Sequence, residues 1–363
     1  MKRHKKLRWL IIQPWIRLGG AETLSLQLAY NLNKNNQITK IATLYIDEYS
    51  LPNIYKNIEY ILPHNAIGAI LKKSKILRTL LGPTVLLILV LKNASHFDIL
   101  NPHNPPSHWI ASITKIFTKK PIVWTCNEPP TRIPVHSIRK HNIIDAVATL
   151  FIDNFLDKII VKNIDKIVVL DDKNFTRIFQ KYHRNSVIIN SGMDYEFFSY
   201  NKNKTQKKEK KCLTVGALAE IKNQILAIKS IELLLKKDKS YFLNIVGDGP
   251  QKEILINYVK TRKLDKYINF LGKIDNDALK EEYITSDLIL LPALNQSWGL
   301  TPLEALSSRR LSVVSSDAGI SEIIDKYKIG IISDPNVKDF SKSIKYYFNN
   351  ADNHEIISMI KRG

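Results

Sequence analysis

Apolar and polar residues alternate along the chain in two rhythms. Short runs of Ile, Val and Leu have the length of buried parallel strands, and the stretches between them repeat apolar residues every three or four positions, as amphipathic helices do. The pattern begins with a strand at 7–12 and a helix at 21–32, and it restarts with a strand at 212–215 and a helix at 224–235. Strands that alternate with helices predict an α/β protein with parallel sheets.

The rest of the pattern divides the chain in two. Residues 200–211 are rich in Lys and Asn and lack apolar periodicity, so they are predicted to form a solvated linker. We expect Rossmann-like, doubly wound domains at 1–199 and 212–345 that face a cleft, followed by a terminal helix at 346–363. A further helix is predicted at 142–163, and further strands at 41–46, 122–124, 167–170, 241–246, 267–270, 287–291 and 311–315.

The charge of the chain is strongly positive. Its 363 residues include 54 Lys and Arg against 34 Asp and Glu, a formal net charge of +20. The excess charge has three possible interpretations: compositional drift, attraction to an anionic membrane surface, and attraction to nucleic acid. The sequence contains no zinc-finger spacing, RNA-recognition signature or Arg-rich arm that would support binding of nucleic acid. Only two cysteines are present, too few for a disulfide framework or a thiolate metal cage, so a cytoplasmic location is expected.

Two apolar stretches resemble targeting or membrane segments. Residues 7–12 follow a basic N-terminus, but Gln13 and Pro14 interrupt the run and no small-residue cleavage site follows, so a buried strand is expected. Residues 80–91 are too short to span a bilayer and are interpreted as a core helix. The alternative is a helix that lies on anionic lipid, because basic residues flank the run: Lys72, Lys73, Lys75, Arg78 and Lys92.

Two segments have phosphate- and nucleotide-binding chemistry. Gly19 and Gly20 follow the first strand, where glycine permits close backbone approach to an anion at a helix start, although such a pair is also an ordinary turn. In the second half, Glu304 lies one turn into a helix, where its carboxylate could accept two hydrogen bonds from a ribose diol or simply face the helix dipole. The chain has no G-x-G-x-x-G and no Walker lysine, which argues against dinucleotide oxidoreductases and P-loop enzymes.

Eight fragments, in order, resemble glycosyltransferase family 4, the retaining GT-B enzymes also called group 1 glycosyltransferases. The resemblance covers nearly the whole chain and implies a nucleotide-sugar donor held mainly by the C-terminal domain. The fragments are 19–22, 101–107, 124–130, 187–197, 215–223, 246–250, 270–272 and 297–305.

The resemblance also implies roles for single residues. Glu304 matches the glutamate that holds the ribose, and Lys222 matches the lysine that pairs with the diphosphate. Such enzymes generally need no metal or other cofactor, so the Asp275-Asn276-Asp277 triplet is interpreted as a helix cap. The other donor-side positions are backbone or apolar positions: Gly19, Gly20, Gly216, Phe270, Leu271, Leu300 and Thr301.

Three positions depart from the family pattern. Gln296 replaces the first glutamate of an E-x7-E pair, Ala217 replaces an arginine, and Asn127 takes the position of a histidine near the sugar. Because Ala217 lacks the guanidinium of the family arginine, slow turnover is predicted unless a lysine elsewhere takes over its contact with the diphosphate. Gln296 and Asn127 complete the expected catalytic set with Lys222 and Glu304, while His103 and Glu128 are expected on the acceptor side. The terminal helix stops where the family continues with a crossing segment, so the expectation is either a short homologue or a truncated chain, with weaker coupling of the domains.

The predicted function is retaining transfer of a hexose, with a lean towards mannose, from a nucleoside diphosphate sugar. The acceptor is a hydroxyl of a glycan or lipid-linked molecule, which places the chain in polysaccharide biosynthesis, with peripheral contact to an anionic membrane at its cytoplasmic face. No nucleic-acid partner is expected. The alternative is a non-catalytic GT-B relative that binds nucleotide sugar or glycan.

Overall fold

The computed structural model describes residues 6–362 apart from 18–19, 48–50, 52, 130–154, 194, 200–208 and 297. The chain divides into two units, Met1–Asn190 and Ser191–Gly363. Both are built from parallel strands and helices, as the alternating pattern predicts.

The first unit contains two parallel sheets, in the orders β3-β2-β1-β4 and β5-β6-β7. A parallel bridge between Leu100 and Ile122 brings β4 next to the second sheet. Inward-facing Leu10, Leu100 and Trp124 lie in one buried core. The strands are β1 (Arg8–Ile12), β2 (Ile38–Ala42), β3 (Glu59–Ile61), β4 (Ile99–Pro102), β5 (Val123–Cys126), β6 (Lys166–Val169) and β7 (Val187–Ile188).

The helices of the first unit connect these strands and cover the sheets. Helix α3 carries Leu86 and Val90 into the core, and α4 contributes Ile110 and Ala111. The helices in the described part are α1 (Gly20–Lys34), α2 (Asn65–Lys73), α3 (Lys75–Asn93), α4 (Ser107–Thr118), α5 (Asp157–Lys162) and α6 (Asp172–Tyr182).

The second unit has a six-stranded parallel sheet in the order β10-β9-β8-β11-β12-β13. Its strands are β8 (Lys210–Val215), β9 (Tyr241–Val246), β10 (Ile268–Gly272), β11 (Leu288–Leu291), β12 (Leu311–Ser315) and β13 (Ile331–Ser333). Its described helices are α7 (Tyr195–Phe198), α8 (Gln224–Leu235), α9 (Lys252–Thr261), α10 (Asn276–Thr285), α11 (Thr301–Ser307), α12 (Ser321–Tyr327), α13 (Val337–Asn349) and α14 (His354–Arg362).

Each unit has a topological switch point, where consecutive connections leave in opposite directions along the sheet. In the first unit β1 and β4 flank it, and in the second unit β8 and β11 do. Ligands of open α/β sheets bind beyond the carboxyl ends of the strands at such points. The loops after these strands are therefore where a site is expected in each unit.

Several predicted boundaries differ from the observed ones. The first unit ends at Asn190 rather than at 199, because Met193, Phe197 and Phe198 pack against Leu213 in the second unit's core. Strand β8 begins at Lys210, inside the predicted linker, and α13 crosses the predicted 345/346 boundary. Within the predicted helix 142–163, residues 142–154 lie outside the described residues, and α5 covers only Asp157–Lys162.

The core interpretation of residues 80–91 is wrong for the first half of the segment. The apolar run extends into a longer helix, and by length and composition residues 76–96 form the one helix of the described part that could cross a membrane. Leu86 and Val90 are fully buried, whereas Ile76, Leu80 and Leu81 are exposed to solvent. The helix is therefore a core helix at one end and a surface helix at the other.

Candidate nucleotide-sugar site

In the second unit, two loops meet at the switch point. One follows β8 and contains Lys222, and the other follows β11 and leads into α11. The Asn223 side-chain amide donates to the Pro292 carbonyl oxygen at 3.0 Å, and the Leu294 N–H donates to the Ile221 carbonyl oxygen at 2.9 Å. These two hydrogen bonds fix the position of each loop against the other.

The turn after β8 approaches the turn after β9 so closely that side chains are excluded. Gly247 has a φ of +137°, and a Cβ atom there would lie 1.9 Å from the Gly216 carbonyl oxygen. The aliphatic chain of Lys222 passes over Gly216, where a Cβ atom would lie 3.9 Å from the lysine Cδ and Cε atoms. The structure thus brings Gly216 and Lys222 together, with the lysine side chain lying along the glycine turn.

Glu304 is held by a tyrosine that the sequence interpretation missed. The hydroxyl of Tyr283, in α10, donates to Glu304 Oε2 at 2.5 Å. Tyr283 is fully buried, and the ring of Phe198 packs edge-on against it with centroids 5.6 Å apart. No sequence motif identifies Tyr283. In the sequence it is only one of the apolar positions of the helix that begins after the Asp275 cap.

Burial and the Tyr283 hydrogen bond change the pKa of the Glu304 carboxyl in opposite directions. Burial raises the pKa of Glu304 above its usual value, and the hydrogen bond from Tyr283 opposes that rise because it stabilises the ionised form. Burial and the neighbouring carboxylate raise the pKa of Tyr283 well above its usual value, so the phenol remains a donor. Tyr283 therefore occupies one oxygen, Oε2, of the Glu304 carboxyl group.

The loop between β11 and α11 is anchored by its backbone. Gly319 N–H donates to the Gln296 carbonyl oxygen at 2.9 Å, and the Trp298 indole N–H donates to the Ser191 carbonyl oxygen at 2.9 Å. Gln296 Oε1 is buried and has no hydrogen-bond partner among the described residues. Gly299, with a φ of +101°, leaves room for the Gln296 amide, since a Cβ atom would lie 3.0 Å from its Nε2. Gln296 thus lies within the loop that leads to Glu304.

The other expected donor positions lie at neighbouring strand ends. Leu300 precedes α11 and Thr301 is its first residue, and the Glu304 N–H donates to the Leu300 carbonyl oxygen at 3.0 Å. Phe270 and Leu271 lie near the end of β10, two strands from β8, and Leu271 is exposed. All the described donor positions of the second unit therefore lie at the carboxyl edge of one sheet.

His103, expected on the acceptor side, and Asn127, expected in the catalytic set, form a second group in the first unit. His103 follows β4 and Asn127 follows β5, and Asn127 Nδ2 donates to Asn104 Oδ1 at 3.3 Å. His103 Nε2 lies 2.8 Å from Asn101 Oδ1. Burial lowers the pKa of His103 to about 3, so its ring is neutral.

Asn101 decides which tautomer this ring adopts. Its amide nitrogen donates to the Val123 carbonyl oxygen at 2.6 Å and to Thr125 Oγ1 at 2.9 Å, so its oxygen faces His103 and must accept. His103 therefore carries its hydrogen on Nε2, and Nδ1 is a buried acceptor without a partner among the described residues. Asn127 Oδ1 is a second buried acceptor, and it too has no partner within the described ranges. Sequence reasoning found both residues but missed Asn101, which is read only from its contacts.

Four predicted positions remain. Gly20 begins α1, and a Cβ atom there would meet nothing within 4 Å, while Gly19 lies outside the described residues. Glu128 is exposed. Asp275 is confirmed as a helix cap, since its Oδ1 accepts from the Ala278 N–H at 2.8 Å.

Comparison with known proteins adds the family. Residues 197–362 match the model of the family described as glycosyl transferases group 1. This stretch spans almost all of the second unit and includes Lys222, Gln296 and Glu304. The second unit therefore matches the group 1 glycosyltransferase model over nearly its whole length.

Curated relatives match this chain over limited stretches. The chain is 29% identical over 118 residues to an alpha-monoglucosyldiacylglycerol synthase of Acholeplasma laidlawii, covering 32% of the chain and 29% of the relative. It is 30% identical over 170 residues to the O-antigen biosynthesis glycosyltransferase WclY of Escherichia coli, covering 45% of the chain and 46% of WclY. The matched stretches thus span less than half the length of these two relatives.

A likeness in fold to a solved structure extends over almost the whole chain. HepE of Anabaena, crystallised in complex with UDP-glucose, superposes with a TM-score of 0.73 and 14% sequence identity over 98% of this chain and 93% of HepE. At this identity the likeness establishes the fold alone. The predicted GT-B fold class is confirmed.

Proposed function

We propose that this chain transfers a sugar from a nucleoside diphosphate sugar to a hydroxyl of a glycan or lipid-linked acceptor. The observation that carries the proposal is the Glu304 carboxylate, held by Tyr283 at the switch point of a domain that matches group 1 glycosyltransferases. One carboxylate oxygen remains for a ribose diol, and Lys222 lies along the adjacent glycine turn. This pairing suits a ligand that joins a ribose to a diphosphate.

The chemistry we propose relies on stabilising the leaving group. Lys222 pairs with the departing diphosphate, and the leaving phosphate oxygen takes the proton of the acceptor hydroxyl, so the anomeric configuration is retained without a dedicated protein base. Gln296 orients a sugar hydroxyl through its amide. On the acceptor side, neutral His103 and Asn127 accept hydrogen bonds from hydroxyl groups. No metal is required, because the lysine and backbone N–H groups supply the positive potential.

The donor sugar is proposed from the named relatives as well as the sequence. The sequence leans towards mannose, but the relative from Acholeplasma is named for a monoglucosyl product and the HepE structure holds UDP-glucose. UDP-glucose is therefore the first donor to test and GDP-mannose the second. We place the reaction in the cytoplasm, where nucleotide sugars are made.

A direct test measures donor binding and then transfer. Thermal shifts with UDP, GDP and their sugars identify the base, and transfer to lipid-linked and glycan acceptors is then followed by product analysis. Lys222→Met should lower kcat by about 100-fold, because one leaving-group contact of this kind contributes about 3 kcal/mol. Lys229→Met, on α8 of the same unit, is the matched control and should leave kcat unchanged. An equal kcat for Lys222→Met and the native chain would contradict the leaving-group role.

A second candidate is binding without catalysis. It is favoured by Ala217, which lacks the family arginine, and by the neutral Gln296 and Asn127, whose unpartnered oxygens can accept hydrogen bonds without supporting charge development. A clear thermal shift with a nucleotide sugar, together with no sugar release for any donor and acceptor, would favour this candidate over transfer.

A further inference from the structure

Helices α2 and α3 of the first unit, which follow each other directly in the chain, expose several large apolar side chains. In α3, Ile76 is 72% exposed and Leu80 is 68% exposed, although both lie on a regular helix. We name this set the α2–α3 surface, and it consists of Ile67, Ile70, Ile76, Leu77, Leu80 and Leu81. Exposed apolar patches of this kind mark surfaces that contact a partner or a membrane.

The surface is firmly attached to the unit. The second half of α3 places Leu86, Val90 and Ala94 in the buried core, so the helix cannot leave the unit to span a bilayer. The Arg78 guanidinium donates to the Leu71 carbonyl oxygen at 3.2 Å and lies 5.5 Å from the centroid of the Tyr45 ring. These contacts hold α3 against α2 and against the segment after β2, while the first half of α3 projects its apolar side chains outward.

The charge around this surface has one sign. Residues 60–97 contain no Asp or Glu, and Lys72, Lys73 and Lys92 are exposed within them. The acids that border this stretch are paired elsewhere, because Glu59 lies 2.6 Å from Lys40 Nζ and Asp98 lies 2.9 Å from Arg8 Nη2. The apolar patch therefore has a basic rim with no competing carboxylate from its own stretch of chain.

We propose that the α2–α3 surface docks on an anionic lipid bilayer, with α3 lying in the interface and not across it. Apolar side chains enter the boundary of headgroups and acyl chains, and the lysines attract the anionic lipids. Charge favours lipid over a second copy of this chain, because two such surfaces would bring like-charged lysines together. The proposal concerns a surface distinct from the residues of the candidate nucleotide-sugar site.

The test is co-sedimentation of the full chain with vesicles at low salt, without any donor. Vesicles of phosphatidylglycerol and phosphatidylcholine should bind it, whereas vesicles of phosphatidylcholine alone should bind it at least about tenfold less, and added salt should weaken binding. The double variant Ile76→Glu/Leu80→Glu should lose at least about tenfold in binding. Ile254→Glu, at a 59% exposed site on α9, is its control and should bind like the native chain.

A second pair of variants isolates the basic rim. Lys72→Ser/Lys73→Ser removes two adjacent lysines at the end of α2 and should weaken binding by about tenfold. Lys236→Ser/Lys237→Ser removes the same charge just after α8, in the second unit, and should leave binding unchanged. Equal losses for the two lysine pairs would overturn the proposal, because they would mean that net charge alone attracts the chain.

Two other occupants have their own signatures. If another segment of this chain covered the surface, Ile76→Glu/Leu80→Glu would lower the midpoint of thermal unfolding by well over the ~2 °C expected for an exposed site. If a second copy covered it, light scattering would detect a dimer that this variant dissociates. Either result, or equal binding to anionic and neutral vesicles, would overturn the proposal.

Discussion

The two switch points use different chemistry. In the second unit the groups at the strand ends are ionic, since Lys222 lies on one loop and the Glu304 carboxylate is held by Tyr283. In the first unit they are neutral, because His103 is buried and uncharged and Asn127 is an amide. Ionic groups suit a diphosphate and a ribose, whereas neutral acceptors suit sugar or acceptor hydroxyls. One architecture thus supports two kinds of recognition, set by a few side chains after the strands.

The largest effect is expected from Glu304→Ala. Loss of two charge-assisted hydrogen bonds to a ribose diol should weaken UDP binding by about 100-fold, while binding of pyrophosphate, which has no ribose, should change little. Calorimetry with both ligands measures the difference. Glu355→Ala is the matched control, since Glu355 also accepts from a tyrosine hydroxyl, that of Tyr346 at 2.8 Å. Equal losses for UDP and pyrophosphate would contradict the ribose assignment.

A smaller effect, confined to the acceptor, is expected at His103. His103→Leu removes the Nδ1 acceptor and should raise the acceptor KM by about tenfold, with no change in donor hydrolysis. His103→Gln can donate to Asn101 and still offer an acceptor oxygen, so it should recover most of the loss. If His103→Leu raised the donor KM and left the acceptor KM unchanged, His103 would contact the donor and the acceptor assignment would be contradicted.

The same residue gives the first unit an acid-sensitive stability. Unfolded His103 protonates near 6.5, whereas burial lowers its pKa in the folded state to about 3, so the unfolded state binds more protons between these values. The free energy of unfolding should therefore fall as the pH drops from about 6.5 towards about 3. In denaturant titrations at several pH values, the free energy of unfolding of His103→Gln should depend less on pH than that of the native chain.

Tyr283→Phe should have a modest effect that distinguishes support from direct contact. Without the phenol, the pKa of Glu304 rises further, so the pH below which UDP affinity is lost should move upwards. At neutral pH we expect only about a threefold to tenfold loss, the value of one hydrogen bond. Tyr346→Phe is the control. An unchanged pH profile of UDP affinity would show that Tyr283 serves packing alone.

Asp275→Ala should have the smallest effect on activity. It removes the cap of α10 and should lower the free energy of unfolding by about 1 kcal/mol, without affecting transfer. Activity should also persist in EDTA, because the triplet that contains Asp275 is a cap. Loss of activity in either measurement, with the fold intact by circular dichroism, would reopen a metal role for the triplet.

The sequence predicted the second unit better than the first. Helix α8 and strands β9 and β12 match their predicted bounds, because a turn or polar residues stand at both ends of each apolar pattern. The prediction of a core helix fails for the first half of α3, because the sequence shows how apolar a segment is but not which neighbour covers it. Tyr283 and Asn101 were missed for a related reason, since their partners are distant in sequence and only the folded chain brings them together.

The short segment before the linker has a consequence for dissecting the protein. Residues 191–199 belong to the second unit, where the Ser308 hydroxyl donates to the Phe198 carbonyl oxygen at 3.1 Å and the Phe198 ring packs on Tyr283. A fragment that began at the linker would contain every donor-side motif of the second half. It would lack the Phe198 ring, which packs on Tyr283, the residue that holds Glu304. Such a fragment should begin at Ser191 if its nucleotide affinity is to represent that of the intact chain.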